Sequence, residues 1–249
     1  MSDYSRFKDL TFDDFRRMAS DPDLTRHEKV GFPDEYRAGR EADIFRDVVG
    51  KLPLLEQRDR TVLEVGPGCS ELPVMLISLC ARQGHRLLLV DSEEMLAQLP
   101  GAPHVEKIAG RYPEVPALFE QHTGSVDVIL AYSVVQYAFA EGNVWSFLDR
   151  SLALLAAGGA MLLGDIPNTS MRKRFFASAA GVRCHQQFTG SGELPDLKFN
   201  ILEPGQMDDS VVMGILLRAR AAGFHAFVVP QAPGLPMSNR REDILIQRP

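Results

Sequence analysis

The sequence predicts an α/β fold: a doubly wound, seven-stranded, mostly parallel sheet with an antiparallel last strand, an N-terminal helical cap and an insertion after the fifth strand. Three observations predict it. From Thr61 onward, short apolar runs alternate with helical patterns, the order expected of a parallel sheet with helices on both faces. The apolar run VLEV, residues 62–65, meets a turn of Gly66, Pro67 and Gly68 and then a helical stretch. The chain finishes on two apolar runs, 224–229 and 243–247, joined by a proline-rich loop, which is the pattern of an antiparallel final pair.

The elements follow in order. Residues 1–59 are expected to form a helical cap. Thr11 followed by Asp14 has the form of a capping box, and Phe12, Phe15 and Met18 then recur at helical spacing. A second helix is expected over 34–49, where Tyr36, Ile44, Phe45, Val48 and Val49 share one broad face. The domain proper spans 60–249. Strand 61–65 precedes helix 70–82, strand 86–90 precedes helix 92–99, and strand 104–108 precedes a helix near 113–121. The fourth strand is 126–131. Helix 143–155 follows it, with Asn143 as cap and Val144, Phe147, Leu148, Leu152 and Leu155 as its buried stripe. The fifth strand is 160–163. The next packing helix, 209–222 with Gly223 as its stop, begins far beyond an ordinary loop, so 165–207 is an insertion. It follows the carboxyl end of a central strand, the side on which open sheets bind ligands, and is expected to be a substrate cap.

Composition narrows the function. A chain of 249 residues with 45% hydrophobic content can bury a full core. A formal charge of −6 argues against a general nucleic-acid binder. Cys69, Cys80 and Cys184 are an odd, scattered set that suggests neither a disulfide framework nor zinc, and fits a reducing cytoplasm. The polar start MSDYSRFKD does not resemble a signal peptide. The longest apolar stretch, 152–164, is interrupted by Gly158 and Gly159 and is too short to span a bilayer, so no membrane partner is expected.

The glycine turn carries the most specific signal. Gly66 lets the backbone turn sharply, Gly68 removes a side chain where a ligand approaches, and the free amides of the next helix face that ligand. A second strand, LLLVDS at 87–92, ends on Asp91 some 20 residues past Gly68. A carboxylate there can accept both hydroxyl protons of a ribose, and Ser92 follows it. A pyrophosphate fingerprint would need a third glycine where this chain has Glu71, whose charge would repel that ligand. With Glu64, Gly66, Gly68 and Asp91 in place, followed by VDVILAYS at 126–133, the chain resembles class I S-adenosylmethionine-dependent methyltransferases. The resemblance covers roughly residues 60–163 and, more loosely, 208–247. It implies S-adenosyl-L-methionine as cofactor, held by Glu64, Gly66, Pro67, Gly68, Asp91, Ser92, Tyr132 and Ser133. It departs at IAGRY, where Arg111 stands in place of the acidic residue with which many members hold the adenine amino group. Backbone groups near Gly110 and Arg111 are the expected substitutes. Tyr36 and Arg37 are expected to close over the carboxylate of the methionine moiety, or, for Tyr36, to pack within the cap.

Methyl transfer from a sulfonium is an in-line displacement that compels few residues. Asp165, in GDIPN, is placed to take an acceptor proton or is a turn residue ahead of Pro167. His185, in the insertion, is a general base or a solvated loop histidine. Ser133 and Gln136 can orient an acceptor hydroxyl, with Tyr137 beside them. Arg172, Arg174 and Arg183, together with Lys173, grip an anionic acceptor or form the solvated face of a helix. No metal is expected, since the strand ends lack a catechol-type cluster. The expected activity is methyl transfer to a hydroxyl of a small or saccharide-like, anionic acceptor. FDDFRRMA followed by GFPDEYR is similar to bacterial methyltransferases of surface-polysaccharide or secondary-metabolite pathways. A non-catalytic scaffold of the same fold and an NAD(P)-dependent reductase are the alternatives, the second weakened by the absent third glycine. A nucleic-acid acceptor is disfavoured because the chain reads AYSV, and not NPPY, after the fourth strand.

Overall fold

The computed structural model describes Phe7 and residues 10–249. Residues 1–6, 8 and 9 of the expected cap, and with them most of the polar start, lie outside the described residues. Seven strands form one sheet: β1 (Thr61–Val65), β2 (Arg86–Asp91), β3 (Val105–Ala109), β4 (Val126–Tyr132), β5 (Leu155–Pro167), β6 (His225–Pro230) and β7 (Arg241–Gln247). Their order is β3-β2-β1-β4-β5-β7-β6. The first five pair in parallel, and β7 runs antiparallel to both β5 and β6. The chain winds outward from β1 to β3 and then crosses back to β4. Beyond the carboxyl ends of β1 and β4 the connections therefore diverge and leave a crevice.

Alternation along each strand builds two apolar layers. Leu63, Val65, Leu88, Val90, Ile129, Ala131, Met161 and Leu163 face one side. They meet α7 (Pro116–His122), α9 (Val144–Leu154) and α12 (Asp209–Ala221) through Leu118, Phe147, Leu152 and Ile215. Val62, Leu87, Leu89, Val128, Leu130 and Leu162 face the other side. There they meet α4 (Glu41–Lys51), α5 (Glu71–Gln83) and α6 (Glu93–Ala97) through Ile44, Leu76 and Leu96. Burial on both faces makes these strands continuous apolar runs rather than alternating ones.

The cap holds α1 (Phe12–Ser20), α2 (Arg26–Lys29), α3 (Asp34–Arg37) and α4. The expected capping box is present. Asp14 N donates to Thr11 Oγ1 at 3.2 Å, and Thr11 N donates to Asp14 Oδ2 at 2.8 Å. The single helix expected over 34–49 is instead two, α3 and α4, because Gly39 adopts φ +75° and breaks the run between them. Strand β5 is longer than the expected 160–163. It starts at Leu155 and continues to Pro167, with a bulge between Leu163 and Ile166 against β7. The chain after β4 forms α8 (Val135–Glu141), a helix not among the expected elements. The span expected as an insertion contains α10 (Thr169–Ala177) and α11 (Ala179–Thr189), capped by Asn168 and Ser178 and ended by Gly190 in the left-handed region. No helix among the described residues is long and apolar enough to cross a membrane.

One ionisable group interrupts the apolar layer under α5. Glu64 is 2% exposed, its Oε2 has no hydrogen-bond partner, and burial, with a smaller contribution from the Asp91 charge, pushes its carboxyl up to about 8. A folded value above the unfolded one means that folding favours the protonated form. Its contribution to stability is therefore fully present below the ordinary carboxylate range and is lost as pH rises through about 8. Glu64→Gln is expected to stabilise the fold by roughly 1–3 kcal/mol near pH 9 and to change little near pH 4. Equilibrium urea unfolding at both pH values measures this; an equal effect at the two would contradict the buried-acid account.

Candidate functional site

The crevice beyond β1, β2 and β4 is a cavity of about 520 Å³. The sheet side contributes Val65 to Gly68, Val90, Asp91, Gly110 to Pro113, Tyr132 and Ser133. The cap closes it with Phe12, Phe15, Val30, Phe32, Arg37 and Glu41, and the α8 and α9 region adds Tyr137, Ala138, Glu141 and Asn143. Volume and lining are those of a small-molecule site, largely apolar with a few convergent polar groups.

The turn after β1 depends on its glycines. Gly66 and Gly68 both sit at φ +63°, where a side chain is strained. A Cβ on Gly66 would lie 2.7 Å from Val134 Cγ2, and one on Gly68 would lie 2.5 Å from Val30 Cγ1. The absent side chain at Gly68 thus makes room for the cap residue Val30 as well as lining the cavity. Asp91 fixes the same turn. Its Oδ2 accepts from Gly68 N at 3.0 Å and its Oδ1 from Ser92 N at 2.7 Å. Burial pushes its carboxyl up to about 6 while those two amides pull the other way. Each oxygen keeps further acceptor capacity for a ligand in the cavity. Ser92 itself caps α6 through Met95 N at 3.2 Å and does not line the cavity.

At the β4 and β5 ends, Arg37 and Asp165 form a buried node. Arg37 is 6% exposed and Asp165 is 3% exposed. Arg37 donates from Nη2 to Asp165 Oδ2 and to Ser133 Oγ, both at 2.8 Å. Arg241 donates to Asp165 Oδ2 at 2.7 Å, Ser133 Oγ donates to the same oxygen, and Gln231 Nε2 donates to Oδ1 at 3.3 Å. Ser133 and Asp165 hold left-handed backbone, φ +60° and +59°, conformations that cost on the order of 1 kcal/mol each and persist only where the surroundings impose them. The Arg37 guanidinium lies 4.1 Å from the Phe32 ring centroid and 5.5 Å from that of Tyr132. Its Nε is buried without a hydrogen-bond partner, and Arg37 lines the cavity. Arg37 thus brings a positive charge to the cavity wall, which suits an anionic ligand group.

The other residues singled out from sequence are distributed unevenly. Gly110, Arg111 and Tyr137 line the cavity; Tyr36, Glu64, Gln136, Asp165 and His185 are not among its walls. Arg111 pairs with Glu141 at 3.6 Å and lies 6.0 Å from the Phe12 ring, joining the cap to α8. Tyr137 meets Phe15 edge to face at 5.0 Å, and Gln136 donates to Ser133 O at 2.8 Å. The insertion contributes no wall to this cavity. Arg174 pairs with Asp209, Arg183 is exposed, and Arg172 lies 5.6 Å from the Phe176 ring, with His185 edge-on to that ring at 6.3 Å. Sequence reasoning missed Val30, Glu41, Arg241 and Gln231, because nothing local marks a cap valine or a last-strand arginine as facing the site.

No protein-family model and no curated protein matches this chain. Solved structures do. The CurJ carbon methyltransferase matches with a TM-score of 0.54 at 15% identity, over 86% of this chain and 56% of that one. An O-methyltransferase family protein from Burkholderia thailandensis matches with a TM-score of 0.55 at 17% identity, over 96% of this chain and 63% of that one. A Methanococcus maripaludis protein assigned as an S-adenosyl-L-methionine-dependent methyltransferase matches with a TM-score of 0.52 at 14% identity, over 96% and 93%. The chain spans less than two thirds of the length of the first two. What is shared at these identities is the fold: this chain has the Rossmann-like fold of the S-adenosylmethionine-dependent methyltransferases.

Proposed function

We propose that the protein is an S-adenosyl-L-methionine-dependent methyltransferase that methylates a hydroxyl of a small or saccharide-like acceptor bearing an anionic group. The observation that carries this is one cavity, at the switch point of the sheet, whose walls include both a carboxylate with spare acceptor capacity, Asp91, and a guanidinium with an unpaired Nε, Arg37. A ribose and an amino-acid carboxylate are the two polar ends such a pair suits. The adenine is assigned to backbone groups of Gly110 and Arg111, which line the same cavity as the apolar side chains of Phe12, Val90 and Tyr112. The cofactor would supply an activated methyl group; the chain's work is to hold the two reactants in line and keep water out.

Within this proposal Asp165 acts as a positioning residue for Arg37 and Ser133, since its oxygens already accept four side-chain bonds. Glu41, Glu114 and Glu141 are the remaining carboxylates at the walls, and so the ones within reach of an acceptor proton. The anionic end of the acceptor is assigned to the insertion arginines, which lie outside the cavity walls: Arg172, 5.6 Å from the Phe176 ring, with Arg183 exposed and Arg174 already paired with Asp209. The free cysteines Cys69, Cys80 and Cys184 fit a cytoplasmic setting, and a surface-polysaccharide or secondary-metabolite pathway supplies acceptors of this class.

Asp91→Ala is expected to weaken S-adenosylhomocysteine binding by about 1–3 kcal/mol, measured by calorimetry, and unchanged affinity would remove Asp91 from the site. Arg172→Ala should raise KM for an anionic acceptor about tenfold or more with cofactor affinity unchanged. An unaltered KM would return that arginine to the solvated helix face. The activity itself is tested by incubating the protein with methyl-labelled S-adenosylmethionine and matched panels of uronic acids, sugar phosphates and neutral sugars. Label on the oxygen of an anionic sugar is the expected result; label on carbon or nitrogen, or on none of the panel, would overturn the acceptor assignment.

A further inference from the structure

Three side chains from separate elements converge beside the glycine turn: His27 on α2, Glu41 on α4 and Glu71, the first residue of α5. His27 Nε2 is 3.2 Å from Glu71 Oε2 and 3.5 Å from Glu41 Oε1, and one donor atom from each residue lies within 4.8 Å of the other two. His27 is 9% exposed and Glu41 is 5% exposed, while Glu71 is half-buried. His27 Nε2, Glu41 Oε2 and Glu71 Oε2 are all buried atoms without a hydrogen-bond partner.

The other ring nitrogen settles which way His27 faces. Nδ1 lies 2.8 Å from Asp34 Oδ1. With Nδ1 turned to the Asp34 carboxylate, Nε2 is the ring nitrogen that faces Glu41 and Glu71. Nε2 thus stands buried between two carboxylates without a hydrogen bond to either, a polar pocket that a cation among the three would satisfy. Arg26 reaches only the outer oxygen, Glu71 Oε1, at 4.0 Å, and Arg37, whose charge also acts on the Glu41 carboxyl, makes its hydrogen bonds to Asp165 and Ser133 and none to the three side chains. Donor atoms about 2.0 Å from a tetrahedral ion lie roughly 3.3 Å from one another, close to the separations found here. An imidazole whose far N–H is held by a carboxylate is also the usual way a metal-ligating histidine is oriented.

We infer that His27, Glu41 and Glu71 form a binding site for a divalent transition-metal ion of the zinc class, with Asp34 orienting the imidazole and water completing the coordination. The donor set, one nitrogen and carboxylate oxygens, is one that zinc and manganese accept. The ion would tie α2 and α4 of the cap to the start of α5. Since Glu41 also lines the cavity, it would fasten the cap over the cofactor crevice. The inference stands on this cluster alone and does not depend on methyl transfer.

The test uses the full chain, stripped with a chelator and dialysed, titrated with Zn²⁺ by calorimetry and followed by its Tm. Saturable binding of one ion per chain with a rise in Tm is expected. Asp34→Asn should weaken binding about 10–100-fold, and Glu71→Gln, at a half-exposed position that leaves the fold intact, at least as much. A wild-type chain that binds neither Zn²⁺ nor Mn²⁺ saturably would overturn the inference, leaving His27 as a side-chain bridge between Asp34 and the two glutamates. So would binding that Glu71→Gln and His27→Gln leave unchanged, since the ion would then sit elsewhere.

Discussion

The Asp165 carboxylate is the point at which four separated parts of the chain are tied together. It lies at the bulge of β5 and accepts from Arg37 of the cap, Ser133 at the end of β4, Arg241 at the start of β7 and Gln231 of the loop before it. Two guanidiniums held this deeply are tolerable only because the carboxylate is there. Removing one member of a buried ion pair costs about 3–5 kcal/mol, whereas the intact group adds little net stability over an apolar replacement. What it supplies is definition: it sets the β4 and β5 ends in left-handed backbone and points Arg37 at the cavity. A second buried carboxylate continues the chain of ties. Asp243 accepts from Asp165 N at 2.8 Å and from Lys51 Nζ of α4 at 2.7 Å, so the cap helix and both strands meet in one network.

The cap is therefore part of the site rather than a cover added to it. Val30 occupies the space that a side chain at Gly68 would need, Phe15 packs on Tyr137, and Arg111 reaches Glu141 beneath Phe12. The glycine turn, often explained by the ligand alone, is here equally a condition for docking the cap. The cluster of His27, Glu41 and Glu71 joins the same two bodies on the neighbouring side.

The sheet was legible because of its double burial. Strands β1, β2 and β4 are covered on both faces, so LLLV stands out as an unbroken apolar run, VLEV and VDVILAY are each broken by a single acid, Glu64 and Asp127, and Asp91 marks where β2 ends. The start of β5 was not legible, since LAAGG carries no bulky alternation and is partly exposed. The break at Gly39 was masked by apolar residues on both sides of it that satisfy one helical face. At the site, composition marked the arginines of the insertion but not their partners. Arg174 is taken up by Asp209, and the node is built from Arg37 and Arg241, which are brought to Asp165 from opposite ends of the chain. Tyr36 and Arg37 are adjacent in sequence, and only the docking of a four-residue helix decides that Arg37 lines the cavity and Tyr36 does not.

The most direct measurement is calorimetric titration of the purified chain with S-adenosylhomocysteine and, separately, with NADH and NADPH, after any co-purified ligand has been removed. Micromolar binding of S-adenosylhomocysteine with no binding of either nicotinamide is the predicted result, because Asp91 and Arg37, both at the cavity wall, are proposed to take a ribose and a carboxylate while Glu71 stands where a pyrophosphate would need glycine. Nicotinamide binding without S-adenosylhomocysteine binding would contradict the account and move the protein to reductase chemistry. Binding of neither would leave the fold as a scaffold.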